Sequence, residues 1–417
     1  MTSPQGREYP AASPQQPSRP SPLAGLRVVE LGSLIAGPFA GRLLADFGAE
    51  VIKIESPDRP DPLREWGSVR HKGHALWWSV QSRNKKCITL DIRKARGQEV
   101  LLDILEQTDV LVENMRAGTL ERLGLGPETL WKRNRGLIIA RVSGFGQDGP
   151  YVARAGYASV AEAMSGLRQL NGYPGQPPPR TGISLGDSLA SLFAIQGILV
   201  ALYARDVNGT PGQVVDVSLV ESCFAMLEGA VPEYAATGFV KGPSGTGLAG
   251  IAPSNIFRCA DGTWVIIAAN QDSVFRRLAA AMGRPELADD PRFANHEARG
   301  RHQDEIEKIV ADWAVLHDSG QVDALLNEAG VACGPIYDMA DVFSDPLFRD
   351  REMLLRATDP DLGELTLPGV VPKLSATPGR VTWPGPIRPG AHNEEIFAGL
   401  LGLSQDDLRA LRDAGVV

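Results

Sequence analysis

The sequence predicts an α/β protein with a Rossmann-like large domain, built on a parallel sheet, and a smaller α+β domain. The chain has 417 residues, which is more than a single hydrophobic core usually contains, so we expect two domains. Hydrophobic residues make up 43% of the chain and charged residues 22%, which are typical values for a globular protein. Between residues 27 and 220, apolar runs of strand length alternate with segments of helix length, and this alternation is typical of a parallel sheet covered by helices.

The first unit of the predicted sheet is a strand, a helix and a second strand. The runs LRVVEL and EVIKIE are rich in β-branched residues, and PFAGRLLADFG lies between them. Pro38 stands where the first turn of a helix tolerates proline, and Gly48 follows the end of that helix. Further strands are predicted in CITLDI, DVLVEN, GLIIARVSGFG and GQVVDVS. The segment ARGQEVLLDILEQT predicts a helix with one apolar face, made of Val100, Leu101, Ile104 and Leu105.

Changes in composition divide the chain into four parts. The opening MTSPQGREYPAASPQQPSRPSP is rich in Pro, Ser and Gln and predicts a disordered tail. Later, KGPSGTGLAGIAPSN interrupts the alternation, and Asp261-Gly262 predicts the turn of a hairpin. The predicted parts are the tail at 1–22, the first part of the large domain at 23–224, the small domain at 225–330, and a C-terminal segment at 331–417 that returns to the large domain.

Charge, cysteines and hydropathy argue against several classes of protein. The net charge of −8 and the pI of about 5.4 disfavour a general nucleic-acid binder. The four cysteines are far apart and predict free buried thiols. The first residues lack the apolar core of a signal peptide, and the longest apolar run, LASLFAIQGILVALYA, falls short of a membrane span. We therefore expect a cytoplasmic protein with neither nucleic acid nor membrane as a partner.

Several common site motifs are absent from the sequence. No P-loop is present, and the first predicted βα turn reads GSLIAGP instead of G-x-G-x-x-G, which disfavours a dehydrogenase. None of the six histidines has the spacing of a zinc site, and no G-x-S-x-G nucleophile motif occurs. We therefore expect no metal site.

Asp187 stands at the head of the long apolar run, in GISLGDSLASLF. One interpretation is a helix N-cap, since Asp is among the best N-cap residues and contributes about 1 kcal/mol there. The other is a nucleophile, since Gly182 and Gly186 allow a ligand to approach closely and a helix N-terminus keeps a carboxylate ionised. The residues alone leave both interpretations open.

Two further groups also allow two interpretations. The glycines of GTGLAG form either a flexible loop between domains or a mobile lid that excludes water from a reaction intermediate. Arg93, Lys94, Arg116 and Arg122 lie near the ends of predicted strands. They are either solvated surface charges or, if clustered at the carboxyl ends of parallel strands, ligands for the phosphates of a nucleotide-like molecule.

Five stretches occur in the order GLRVVELGSLIAGPFAGRLLADFGAEVIKIESP, LDIRKARGQEVLLDILEQTDVLVENMRAGTLERLGLG, RVSGFGQDGPY, GISLGDSLASLFAIQGILVALYAR and DPLFRDREM. Together they resemble the class III CoA-transferases, the superfamily of formyl-CoA transferase and carnitine CoA-transferase (CaiB/BaiF type). The resemblance runs from about Leu23 to the last helix. It implies CoA thioesters and carboxylic acids as substrates, no permanently bound cofactor, and an interlocked homodimer.

The resemblance also implies that Asp187 is the catalytic nucleophile. Its carboxylate would attack an acyl-CoA thioester to give an aspartyl anhydride and CoA thiolate, and the thiolate would then form an aspartyl-CoA thioester. The acceptor acid would take CoA from that thioester, and water must be excluded throughout. The CoA contacts that the resemblance implies are Leu90, Arg93, Asn114, Met115, Arg122 and Tyr157, and its lid glycines are Gly245, Gly247 and Gly250.

Two departures from the superfamily narrow the expected reaction. The α-methylacyl-CoA racemases have a His-Asp pair where this chain has GYAS, so Tyr157 replaces the histidine and a second base is missing. We therefore expect a CoA-transferase, with an acyl-CoA racemase or isomerase as the alternative. Ile35 replaces the glutamine of formyl-CoA transferases before AGP. The context GYPGQPPPRTGISLGDS is closer to transferases that use succinyl-CoA and small dicarboxylic or hydroxy acids.

Overall fold

The computed structural model describes residues 20–417, which form two compact units. The larger unit contains residues 20–167, Thr181–Glu228 and Pro346–Val417, and the smaller contains Arg168–Arg180 and Gly229–Asp345. The predicted tail, 1–22, lies outside the described residues except for its last three. Here the Ser21 carbonyl accepts a hydrogen bond from the Ala24 N–H at 3.0 Å.

The predicted boundaries of 225 and 330 for the small domain differ from these units. The smaller unit extends to Asp345 because the strand Ala332–Pro335 pairs with Trp264–Ala268. It also takes in Arg168–Arg180, since the Gly172 carbonyl accepts from the Gly245 N–H at 2.9 Å. Long-range pairing of this kind leaves no mark in local composition, so the sequence does not locate these boundaries.

A six-stranded parallel sheet forms the centre of the larger unit, in the order β3-β2-β1-β4-β5-β6. Its strands, in chain order, are β1 Arg27–Glu30, β2 Glu50–Glu55, β3 Lys85–Thr89, β4 Val110–Glu113, β5 Ile138–Ser143 and β6 Val214–Ser218. The order reverses direction between β1 and β4. In open α/β sheets, ligands bind outside the carboxyl ends of the strands at such a switch point.

Each face of this sheet is covered by its own apolar core. Val28 belongs to one core and Val29 to the other, since successive side chains of a strand point to opposite faces. The first core includes Ala194 and Ile198. The second includes the apolar face predicted for the helix Ala95–Leu105, made of Val100, Leu101, Ile104 and Leu105. The α-helices of the unit are Ala36–Asp46, Leu76–Gln81, Ala95–Leu105, Thr119–Arg122, Pro127–Arg133, Ala158–Met164, Leu185–Asn208, Leu219–Phe224, Pro346–Asp350 and Gln405–Asp413.

Short elements complete the larger unit. Its other helical turns are the 3₁₀ turn Pro62–Glu65 and the π-helix Glu395–Leu400. Two small antiparallel hairpins pair Arg70–His71 with His74–Ala75 and Leu354–Asp359 with Gly363–Pro368.

The Leu185–Asn208 helix is longer than its apolar run predicted. By length and composition alone it could cross a membrane, so the expectation that this stretch falls short of a span is wrong. The helix continues past the apolar run into polar residues at both ends. A core helix of a globular protein passes the same test, and here Ala190, Ala194 and Ile198 are buried against the central sheet.

The C-terminal residues cover the free edge of β3. His392 Nδ1 accepts from the Cys87 N–H at 3.0 Å, and Asn393 Oδ1 accepts from the Thr89 N–H at 2.9 Å. The Asp91 N–H donates to the Val416 carbonyl at 2.7 Å. These contacts join residues 392–416 to the larger unit, whereas residues 331–345 of the predicted C-terminal segment belong to the smaller unit.

The smaller unit is an α+β assembly with its own core. Three antiparallel strands, β7 Ser254–Arg258, β8 Trp264–Ala268 and β9 Ala332–Pro335, are arranged in the order β9-β8-β7. The predicted hairpin turn is present, with Gly262 at φ +81°. Helices of this unit are Ala230–Thr237, Asp272–Ala281, His296–Arg301, Gln303–Ala314, Ser319–Glu328 and Met339–Ser344, with a 3₁₀ turn at Pro285–Ala288; a further 3₁₀ turn, Leu167–Leu170, begins at the unit boundary.

Candidate active site

A pocket of about 400 Å³ lies at the carboxyl ends of β1, β2 and β3 in the larger unit. Three of the predicted CoA contacts line it, namely Leu90, Arg93 and Met115. The other lining residues come from the loops after the strands and include Gly32, Ser33, Glu55, Ser56, Arg59, Asp61, Asp91, Ile92 and Leu123. Met115 and Leu123 follow β4, so the pocket also borders the switch point between β1 and β4.

A buried ionic cluster supports the floor of this pocket. Lys53 Nζ lies 2.9 Å from Glu30, 2.9 Å from Asp61, and 2.8 Å from the Gly32 carbonyl. Burial alone lowers the pKa of Lys53, but the neighbouring carboxylates outweigh burial and raise it. Lys85 lies 2.7 Å from the other oxygen of Glu30, and burial lowers its pKa.

The loop after β1 is held in a conformation that is unusual for its sequence. Leu34 has φ +65°, although it is not glycine. Its N–H donates to Asp61 Oδ1 at 3.0 Å. Asn114 holds the other side of this loop. Its side-chain amide accepts from the Ser33 N–H and donates to the Ser33 carbonyl, both at 2.8 Å. Asn114 thus shapes the pocket through Ser33 and is not part of its lining.

Arg93 combines a place in the pocket wall with two carboxylate partners. Its guanidinium lies 2.7 Å from Asp91 Oδ1 and 2.8 Å from Asp58 Oδ1. These hydrogen bonds raise the pKa of Arg93 and lower that of Asp91, and Asp58, bonded to Ser56 and Arg93, has a pKa of about 2. The side chain is 42% exposed, so it is accessible to an anion in the pocket.

The remaining predicted CoA contacts lie outside the lining of this pocket. Arg122 ends the Thr119–Arg122 helix and donates to Thr119 Oγ1 at 2.7 Å. Tyr157 directly precedes the Ala158–Met164 helix and is exposed. The segment before it is fixed to the end of β5, since a Cβ on Gly144 would lie only 2.6 Å from the Gly156 Cα.

Asp187 lies in the first turn of the Leu185–Asn208 helix and is half-buried. Ser184 is the N-cap residue, so the interpretation of Asp187 as the N-cap is wrong. The helix begins at Leu185, two residues before Asp187, which leaves the Asp187 carboxylate on the third helical position, where the helix dipole favours a negative charge. The Ser191 hydroxyl lies 2.7 Å from the carbonyl oxygens of both Asp187 and Ala36, which share its one hydrogen. The helix is thereby joined to the one that follows the β1 loop.

The sequence did not place two buried groups, Glu162 and Cys223, next to Asp187, although it predicted Cys223 to be a buried thiol. The N–H of Gly186 donates to Glu162 Oε1 at 3.1 Å, and Glu162 is only 3% exposed. Burial raises the pKa of the Cys223 thiol to about 11, and the carboxylates of Glu162 and Asp187 add to this effect. A usable signal was present, because Glu162 is the one charged residue within YASVAEAMSGL.

The predicted lid glycines belong to the smaller unit and are held by a set of polar side chains. Gln303 accepts from the Gly250 N–H at 2.9 Å and donates to the Leu248 carbonyl at 3.2 Å. Asn255 Nδ2 donates to Glu307 Oε2 at 2.7 Å, and Thr246 Oγ1 donates to Asn255 Oδ1. A Cβ on Gly247 would lie 3.1 Å from the Asn255 amide, so the loop lies closely against β7.

Within residues 20–417, no group of three or more His, Cys, Asp or Glu side chains is arranged to hold a metal ion. All four cysteines are free, and three of them are buried.

Comparison with known proteins agrees with the resemblance found in the sequence. The family model for CoA-transferase family III matches residues 23–393. The succinyl-CoA–D-citramalate CoA-transferase of Chloroflexus aurantiacus is 51% identical over 405 residues, which are 97% of this chain and 100% of that protein. The alpha subunit of succinyl-CoA–L-malate CoA-transferase from Chloroflexus aurantiacus is 39% identical over 410 residues, 98% of this chain and 95% of that one. A crystal structure of a CAIB/BAIF family protein from Brucella suis has a TM-score of 0.80 at 32% identity and covers 92% of this chain and 100% of that chain.

The parallel α/β fold and these relatives define the protein as an enzyme that transfers coenzyme A. The chain belongs to CoA-transferase family III.

Proposed function

We propose that this enzyme transfers CoA from succinyl-CoA to a small hydroxy dicarboxylic acid, with Asp187 as the nucleophile. The observation that carries the proposal is the position of Asp187 on the first turn of the Leu185–Asn208 helix, in a family III CoA-transferase. The donor and the acceptor class follow from relatives that are named for succinyl-CoA and for D-citramalate or L-malate.

The proposed reaction passes CoA through Asp187 in two halves. The Asp187 carboxylate attacks the succinyl thioester carbon, a C–O bond forms, and the C–S bond breaks to release CoA thiolate. The thiolate attacks the aspartyl carbonyl of the mixed anhydride, which frees succinate and leaves an aspartyl-CoA thioester. The acceptor carboxylate then attacks this thioester, and the released thiolate attacks the acceptor side of the new anhydride. Acyl-CoA product leaves, and the Asp187 carboxylate is restored.

The pocket at the carboxyl ends of the strands supports a CoA site formed by Leu90, Arg93, Met115 and the Asn114-braced loop. The guanidinium of Arg93 suits a phosphate, because a planar donor fork binds phosphate oxygens in pairs. Apolar Leu90, Ile92 and Leu123 line the same pocket and suit the flat face of a nucleobase. Roles for Arg122 and Tyr157 as CoA contacts and for Gly245, Gly247 and Gly250 as a lid stay predictions.

A homodimer is part of the proposal, and the Leu185–Asn208 helix supports it. Five large side chains on this helix are between 42% and 64% exposed: Leu192, Leu199, Val200, Tyr203 and Val207. An exposed apolar stripe of this length is unusual for a monomer and typical of a surface covered by a partner. We expect a second copy of this chain to cover it, which light scattering after gel filtration would test. Interlocking of the two chains and a cytoplasmic location also stay predictions.

The decisive experiment incubates the protein with succinyl-CoA and a panel of acids that includes both citramalates, both malates, oxalate and acetate. Mass spectrometry follows the new acyl-CoA and the enzyme-bound aspartyl-CoA adduct. We expect exchange with a hydroxy dicarboxylate, and no exchange or adduct with D187A. Full exchange by D187A would contradict the mechanism. Scrambling of an α-stereocentre without any exchange would support the racemase alternative instead.

A further inference from the structure

Glu162 makes a contact that the proposed mechanism does not use. Its carboxylate is buried, and Oε1 accepts the N–H of Gly186 at 3.1 Å from 24 residues away in the chain. Gly186 is the second residue of the Leu185–Asn208 helix, and the next residue is Asp187. The first four N–H groups of an α-helix have no partner within the helix, so Glu162 satisfies one of them.

The structure around this contact leaves little freedom for the start of the helix. A Cβ on Gly186 would lie 3.2 Å from the Ala158 carbonyl oxygen and 3.2 Å from Cys223 Sγ. Only glycine therefore fits there without a shift of its neighbours. The Ala158–Met164 helix that carries Glu162 follows Gly156, and the backbones of Gly156 and Gly144 are in contact at the end of β5. A continuous series of contacts thus joins the central sheet to the peptide next to Asp187.

We propose that Glu162 is a positioning residue for Asp187, and that its carboxylate serves as a hydrogen-bond acceptor that fixes the Gly186–Asp187 peptide. This inference rests on the proposed function, since it assumes that Asp187 is the nucleophile. Glu162 bonds to the main chain beneath the helix and is enclosed by protein, so it acts through Asp187 and touches no reacting atom.

The chemistry explains why such an acceptor matters. Asp187 must present its carboxylate to a thioester carbon and later present its own carbonyl carbon to a thiolate and to an acceptor acid. A misplacement of about 1 Å in a reacting group costs roughly 100-fold in rate. A peptide without its acceptor could rotate, and Asp187 would move with it.

Three substitutions of Glu162 separate the effect of its acceptor oxygen from the effects of its charge and its volume. E162Q keeps the length and an acceptor oxygen but removes the charge, so we expect kcat within about threefold of wild type, a difference below about 1 kcal/mol. E162M keeps the approximate volume without an oxygen acceptor, and E162D keeps the charge but withdraws the oxygen by one methylene. For both we expect kcat to fall about 10- to 100-fold with little change in KM, because alignment of the nucleophile is lost while CoA binding is retained.

S165A is the matched control on the same helix segment. Ser165 Oγ donates to the Glu162 carbonyl at 3.1 Å and does not bond to Gly186. We expect S165A to keep the wild-type kcat, and circular dichroism melts on all four variants would report folding. Should E162M fail to fold, the comparison of E162Q with E162D still decides the outcome.

Two results would overturn the proposal. If folded E162Q loses more than 10-fold in kcat, the charge or proton of Glu162 is required and the acceptor role is wrong. If folded E162D and E162M both keep wild-type kcat, Glu162 positions nothing. D187A separates these failures from failure of the proposed function: loss of exchange in D187A with wild-type rates in E162D and E162M rejects only the positioning role, whereas exchange by D187A rejects both.

Discussion

Lys53 and Asp61 form an ion pair of 2.9 Å that is fully buried beneath the loop after β1. Lys53 also pairs with Glu30, whose other oxygen pairs with Lys85, so two buried ammonium groups face two buried carboxylates. Such a cluster adds little net stability compared with apolar residues, but it is intolerant of the loss of one member. Its position under the pocket indicates that it holds the Gly32–Leu34 loop in place.

Removal of the Lys53 charge should therefore strongly destabilise the folded protein. In K53M, Asp61 loses its paired cation while Glu30 keeps only Lys85, and we expect the free energy of unfolding to fall by about 3–5 kcal/mol. Urea unfolding would measure this. The control is K308M, because Lys308 pairs with Asp312 on an exposed helix face and should change stability by less than about 0.5 kcal/mol. Equal effects in the two variants would contradict a structural role for the buried cluster.

At position 34, glycine should give a more stable protein than alanine. This reverses the usual order, in which alanine is the more stabilising of the two. At φ +65°, a residue with a Cβ is strained by about 1–2 kcal/mol relative to glycine. L34A and L34G both lose the leucine packing, so the difference between them isolates the backbone. We expect L34G to be more stable than L34A by about 1 kcal/mol in urea unfolding. If L34A were the more stable variant, the loop would not be strained at this position.

The sequence predicted the sheet well because its signals are local. Each of the six strands has its own run of apolar, mostly β-branched residues. Neighbouring residues such as Val28 and Val29 point to opposite faces of the sheet, so apolar runs of this kind predict that both faces are covered. Lys53 gave a further signal, since a charge in the middle of EVIKIE must be paired once that strand is buried. The sequence did not reveal which acids pair with it, because Glu30 and Asp61 come from other parts of the chain.

The candidate site was predicted only in part, for a similar reason. Asp187 and Arg93 were identified by resemblance, and Leu90 and Met115 meet Arg93 in one pocket. Glu162 was missed because its importance lies in a hydrogen bond to Gly186, which only the folded chain forms. The N-cap interpretation of Asp187 failed by three residues, which is a typical error for a helix boundary located from sequence alone.

His392 should make stability depend on pH. Burial lowers its pKa below the ordinary 6.5, against the opposing effect of Glu395 and together with that of Lys86. The neutral ring accepts the Cys87 N–H through Nδ1, and this contribution is complete above pH 6.5. As the pH falls through the folded-state pKa, the ring gains a proton, and we expect a loss of about 1 kcal/mol.

The comparison variant for this test is H392N, whose side-chain oxygen can accept the same N–H without titrating. Urea unfolding from pH 8 to pH 5 should show a decline in wild type that is smaller in H392N. Identical pH profiles would mean that other groups cause the decline.

Arg93 should affect CoA binding more than the chemical step. In R93A, we expect KM for succinyl-CoA to rise about 10-fold, or about 1.4 kcal/mol, while kcat changes little, since a contact remote from the thioester contributes uniform binding. R96A is the control, because Arg96 lies three residues further along the chain, in the Ala95–Leu105 helix, but pairs with Glu99 on the surface. A fall in kcat without a change in KM would place Arg93 near the reacting atoms instead.

Gln303 should control how much succinyl-CoA is lost to water. Q303A removes the side chain that bonds both Gly250 and Leu248, so the glycine loop should become more mobile. If that loop is the lid, the ratio of hydrolysis to transfer rises several-fold, as measured by free CoA against product acyl-CoA. Q321A is the control, because Gln321 accepts from the Asp318 N–H in a neighbouring helix cap and does not bond to the loop. An unchanged ratio in Q303A would argue against a lid.

The side chains of His392 and Asn393 that complete the edge of β3 also set an order of events during synthesis. A ribosome makes about 5–20 residues per second, starting from the N-terminus. The six strands emerge by residue 218, yet the edge of the sheet is closed only by residues made more than 170 positions later. Until then β3 is an open edge, to which another nascent chain can add a strand. Folding of the larger unit is therefore completed only after residues 392 and 393 have been made, and a ribosome that stalls before codon 392 would leave an aggregation-prone product.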